Sequence, residues 1–214
     1  MTTSKPLKGL MIFSYYQIRG VILCVIFVCL ALGGAWLAFP EDPFLINALT
    51  QMPLTFGYIS IAGMDSIRNW EKYQIAMPVS RKTLVASQMI PTVLGLILGF
   101  TIVTIIILIG SLLHEDILFN MNTMIMSINS FNNSLLFVAL TFIFSFLPVL
   151  KGKETLALIL AFICSAVIVY GLNFLGGLMG LTSNSLVFFI TILSVLTFFA
   201  AYVSCCKIYA KRDF

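Results

Sequence analysis

Residues 155–206 read TLALILAFICSAVIVYGLNFLGGLMGLTSNSLVFFITILSVLTFFAAYVSCC, 52 positions without an Asp, Glu, Lys, Arg or His. The hydrocarbon core of a bilayer is about 30 Å thick, and a helix of about 20 apolar residues crosses it. One straight helix cannot use the whole stretch. It reverses at the turn-rich segment Gly176-Gly177-Leu178-Met179-Gly180-Leu181-Thr182-Ser183-Asn184-Ser185. Two spans result, about 155–175 and about 186–206, joined as a hairpin.

The rest of the chain follows the same pattern. Residues 83–113 are uncharged over 31 positions. A helix that long extends about 46 Å. Span three, about 84–113, is therefore expected to tilt, to kink near Pro91 or to project from the membrane. It contains Gly95 and Gly99, spaced as a close-packing pair in an apolar helix. Spans one, two and four fall at about 20–38, 44–64 and 133–150. Phe39-Pro40-Glu41-Asp42-Pro43 turns the chain after span one, and span four ends at Pro148 and Lys151. In span two, Asn47, Gln51, Thr55 and Tyr58 form a polar stripe at i, i+4, i+8, i+11, which faces other helices or a cargo path.

Two further helices are expected outside the spans. Residues 4–18 carry Leu7, Leu10, Met11, Tyr15 and Ile18 at helical spacing between Lys5, Lys8 and Arg19. They read as an interfacial helix leading into span one, or as an extension of it. Residues 117–131 alternate Ile117, Met121, Met124, Ile125 and Ile128 with Asn and Ser, an uncharged amphipathic helix expected to lie half-sunk in the outer leaflet.

Composition agrees. The chain is 60% hydrophobic and 9% charged, with mean hydropathy +1.08. Soluble domains carry roughly 25% charged residues. An all-α membrane protein is expected, with residues 1–214 as one transmembrane domain of six helices. All twelve Lys and Arg fall on one side of this layout: Lys5, Lys8, Arg19, Arg68, Lys72, Arg81, Lys82, Lys151, Lys153, Lys207, Lys211 and Arg212. The other side holds Glu41, Asp42, His114, Glu115 and Asp116. Basic residues near span ends stay cytoplasmic, so both termini are expected inside. The formal charge of +4 divides into +8 inside and −4 outside. Membrane orientation explains it, and no nucleic-acid partner is implied.

The chemistry the chain lacks narrows its function. No ionisable residue sits mid-span, which disfavours proton- and ion-coupled transport and intramembrane proteolysis. Unwound backbone could still bind a cation. His114 is alone, and Cys24, Cys29, Cys164, Cys205 and Cys206 show neither metal spacing nor an even count for disulfides. Lys151-Gly152-Lys153-Glu154-Thr155 has Leu147 and Pro148 where a phosphate-binding loop needs its leading Gly. No catalytic, cofactor or metal residue is assigned. Transport driven by ATP would need an ATPase on another chain.

The dense charge lies at 65–82: Asp65-Ser-Ile-Arg68-Asn69-Trp70-Glu71-Lys72-Tyr73-Gln-Ile-Ala-Met77-Pro78-Val79-Ser80-Arg81-Lys82. A short helix carrying Ile67, Trp70 and Tyr73 ends at Met77-Pro78, because the residue before Pro avoids the helical region. Ser80 then caps the next helix.

Trp70-Glu71-Lys72-Tyr73, followed by Met77-Pro78-Val79-Ser80-Arg81-Lys82-Thr83-Leu84-Val85, resembles the signature of type-two ABC exporter permeases. Lys211-Arg212-Asp213-Phe214 is similar to that family's ending, and six spans with both termini inside match its topology. Within the family, the chain looks most like the small permeases of phenol-soluble modulin (Pmt) exporters and of lantibiotic and bacitracin exporters. The resemblance implies a multi-pass subunit of the bacterial plasma membrane. It implies a pair of permeases, identical or paralogous, working with ABC ATPase subunits that bind ATP and Mg. Arg68, Asn69, Trp70, Glu71, Lys72, Tyr73 and Pro78 would form the coupling helix that meets the ATPase. Arg81 and Lys82 could equally anchor phospholipid. The uncharged spans suit an apolar or amphipathic cargo, such as a cytolytic peptide. The rival reading is an immunity or receptor protein that binds a bacteriocin without pumping it.

Overall fold

The structure is a computed structural model and describes residues 4–38, 43–52, 80–113, 121–147, 153–180 and 182–210. Among these residues every regular element is a helix. They are α1 (Ser4–Ala38), α2 (Pro43–Thr50), α3 (Arg81–Leu113), α4 (Met121–Phe146), α5 (Glu154–Leu178) and α6 (Ser183–Ala210). Four of them hold segments long and apolar enough to cross a membrane: Lys82–Leu113, Thr123–Ser145, Thr155–Leu178 and Asn184–Ile208. Ile26–Ala38 of α1 is a shorter apolar stretch. Span two is described only over 43–52, so its expected extent to 64 lies outside the described residues.

Two helix ends have a clear local cause. Ser80 caps α3: its Oγ accepts from Thr83 N at 3.2 Å, and its carbonyl accepts from Leu84 N at 3.2 Å. One of the four free N–H groups of that helix end is thereby satisfied by a side chain. At the far end of α5, Met179 N donates to Leu175 O at 3.0 Å and Gly180 N to Gly177 O at 3.2 Å. Gly180 has φ +67°, the left-handed conformation that stops a helix at little cost only for a residue without Cβ.

Three boundaries differ from expectation. The interfacial helix and span one are a single helix, Ser4–Ala38. Between Leu10 and Arg19 there is no Pro, and the lone Gly20 costs about 1 kcal/mol, too little to break a long helix. Residues 20–38 alone rise about 28 Å, close to one bilayer core, and Arg19 stands exposed at their polar end. The amphipathic helix expected at the outer leaflet continues into span four as α4, and its serines turn into the bundle instead of lying at a membrane surface. Gly176 and Gly177 stay helical, so the α5–α6 turn is shorter than the ten-residue segment expected. In α3, Pro91 is accommodated without ending the helix, which runs unbroken for 33 residues.

α4 is the centre of the bundle. It packs against α6 and α5, and also against α3 and α2. α1 lies on the far side of α3, with α2 beside it. α5 and α6 are consecutive yet barely touch, because each uses its inner face on α4. Leu135, Leu136, Phe137, Val138 and Ala139 are buried in succession, so this turn of α4 is covered all round. Phe137 meets Phe162 of α5 edge-on at 6.4 Å, and Phe131 meets Phe100 of α3 at 4.9 Å. The outward faces are apolar: Phe27, Leu112, Phe174, Phe188 and Phe199 are all exposed. An inside-out surface of this kind is what lipid, not water, accepts.

α1 packs closely on α3. A Cβ on Gly110 would collide with the Trp36 ring, and one on Gly33 would come within 2.8 Å of Ile106 Cδ1. Trp36 is 4% exposed, keyed into the groove Gly110 leaves. Small residues let helix backbones approach where lipid is as apolar as Leu and association depends on packing.

Candidate functional site

Polar side chains inside this bundle fall into two groups. Hydroxyls mostly fold back on their own helix. Ser87, Thr92, Ser134, Thr141, Ser165 and Ser194 each donate to a carbonyl three or four residues earlier, at 2.7–3.0 Å. A hydroxyl satisfied in this way brings almost no polar cost to an apolar interior.

The amides behave differently. Asn129, Asn132 and Asn133 sit in the first half of α4, and their Oδ1 atoms are buried with no partner among the described residues. Ser127 Oγ is in the same condition. An amide oxygen within a helix finds no backbone donor, because each N–H is committed to the ladder. Asn132 is 0% exposed, and its Nδ2 donates to Thr191 Oγ1 of α6 at 2.9 Å. Thr191 passes its own proton to Val187 O at 2.8 Å, so its oxygen faces Asn132 as an acceptor. That relay decides which way the Asn132 amide points and leaves Oδ1 directed elsewhere. On another side of α4, Ser130 Oγ donates to Gln51 Oε1 at 3.5 Å, a long contact linking α2 to α4.

The residues singled out in sequence are placed as follows. Asn47 and Gln51 are exposed, on the side of α2 opposite buried Leu49 and Met52. Gln51 reaches α4 only at its tip. Thr55 and Tyr58 lie outside the described residues, as do Arg68, Asn69, Trp70, Glu71, Lys72, Tyr73 and Pro78. Gly99 is buried and Gly95 half-buried on α3. Sequence reading did not single out Gly33, Gly110 or Trp36, because their pairing joins positions more than 70 apart. It assigned the Asn129 and Ser130 region to a membrane surface. The signal missed was the spacing i, i+3, i+4 of the three asparagines, a single helix face.

Long uncharged helices, hydroxyls turned back on their own carbonyls and an amide seam without acid or base define a polytopic membrane subunit. Over residues 9–210 the chain matches the model of the ABC-2 family transporter protein. It belongs to that family, and is the permease component of an ABC transporter, a component that associates with an ABC ATPase subunit. Neither the curated proteins nor the solved structures gave a significant match.

Proposed function

We propose that this chain is the permease of an ATP-driven exporter that moves amphipathic or antimicrobial and cytolytic peptides, or other apolar cargo, across the bacterial plasma membrane. Family membership over residues 9–210 carries the reading. Three features support the finer parts. The one-sided basic residues favour six spans with both termini cytosolic. The Met77-Pro78 stop ahead of the Ser80 cap favours a short coupling helix before α3. The exposed apolar faces of α1, α5 and α6 leave surface for a second permease, identical or paralogous, beside the lipid.

On this reading Trp70 and Tyr73 anchor in a groove of the ATPase while Arg68, Asn69, Glu71 and Lys72 set the register, with Pro78 ending the helix. ATP and Mg stay on the partner. Closure of the ATPase pair is passed through α3 to the bundle. Trp70→Ala with Glu71→Ala tests this in the co-purified complex. The expected outcome is loss of ATPase association with insertion of the permease unchanged; retained association removes the coupling assignment. The cargo is tested separately. Amphipathic helical peptides titrated into the wild-type complex should stimulate ATP hydrolysis, and a flat response to all of them counts against peptide export.

A further inference from the structure

We infer that the asparagine face of α4 is a binding site for a primary ammonium group. Asn132 and Asn133 lie i+3 and i+4 from Asn129, so each Cβ is about 5–6 Å from that of Asn129 on the same side of the helix. Each presents a buried amide oxygen with no partner among the described residues. The Asn132–Thr191–Val187 relay holds one of those oxygens away from α6. Unpaired acceptors in a low-dielectric interior are costly, and together they ask for donors. A protonated primary amine brings three N–H donors and no acceptor, a match for three carbonyl oxygens.

Charge favours the cation over a neutral donor. Glu41-Asp42 directly precedes α2, and Glu115-Asp116 lies shortly before α4, with no Lys or Arg in either connecting segment. A divalent metal is disfavoured because it prefers carboxylate oxygens, and no group of three or more His, Cys, Asp or Glu among the described residues would hold one. The use of this site to recognise the amino groups of an exported amphiphile rests on the exporter reading above. Binding itself does not, and is measured without the ATPase.

The test uses the purified full chain in phosphatidylcholine nanodiscs, with n-octylammonium as probe and octyltrimethylammonium as control. The control has the same charge and no N–H. Octylammonium is expected to raise the unfolding temperature by several degrees, and the control to leave it unmoved. Asn129→Leu with Asn133→Leu should abolish that shift while keeping or raising the basal unfolding temperature, since an apolar group replaces unpaired acceptors. Asn133→Asp should tighten octylammonium binding about tenfold through a charge-assisted hydrogen bond. Equal shifts with both probes, a shift that survives in the leucine variant, or a basal temperature lowered in that variant would each overturn the site. Phosphatidylethanolamine nanodiscs separate the two sources of amine. If the lipid head group is the ligand, they raise the wild-type basal temperature and remove the octylammonium response. If a free amphiphile is, the response persists. Peptide-stimulated ATP hydrolysis in the complex reports on the exporter reading independently.

Discussion

Trp36 and Gly110 make a contact that leaves little room for change. The indole fills the space a side chain on Gly110 would need, so the two residues form one shape divided between α1 and α3. Gly110→Val is expected to cost about 1–3 kcal/mol by overpacking. In a chain of this size that lowers the unfolding temperature in detergent by about 2–4 °C per kcal/mol. Adding Trp36→Leu should recover most of the loss, a non-additivity expected of residues in contact. Gly33→Ala should cost less, because its neighbour is the tip of the flexible Ile106 side chain. None of this was legible along the chain. Gly95 and Gly99 showed the spacing of a packing pair, whereas Gly110 shows no spacing at all and owes its role to a tryptophan on another helix.

At the scale of the element, caps and length decide more than propensity. α3 begins where Ser80 takes up one of the free N–H groups of the first turn, that of Thr83. Ser80→Ala is expected to cost about 1 kcal/mol and to fray the first turn, read as faster amide exchange at Thr83 and Leu84. This helix start was readable from the sequence, as was the Pro91 position inside α3, because capping and proline chemistry act within four residues. The separation of the N-terminal segment from span one was not. An amphipathic pattern is the same whether a helix lies on a membrane or prolongs the helix behind it, and only the unbroken backbone of α1 distinguishes them. The same holds for α4. Its uncharged polar face suits a leaflet surface and a helical interior equally, and the neighbours α5 and α6 make it interior.

At the scale of the whole molecule, orientation is open to direct measurement. With the native cysteines replaced, Thr182→Cys and Lys153→Cys offer exposed probes at opposite ends of α5. A membrane-impermeant maleimide added to intact cells should label Cys introduced at 182 and spare the one at 153 until the cells are opened. The reverse pattern would invert the proposed topology, since loops rich in Lys and Arg stay in the cytosol.

Membership of the membrane class and the approximate places of the apolar segments of α3, α5 and α6 were legible in the sequence alone. Bilayer thickness sets how many consecutive apolar residues a span needs, and that quantity is read along one dimension. Tertiary structure alone decided that α4 is central, that Gly110 receives Trp36 and that three amide oxygens of one helix face are buried without a donor among the described residues. These depend on the relative positions of helix axes. In lipid those positions are chosen by close packing between distant residues, not by the hydropathy of any one segment.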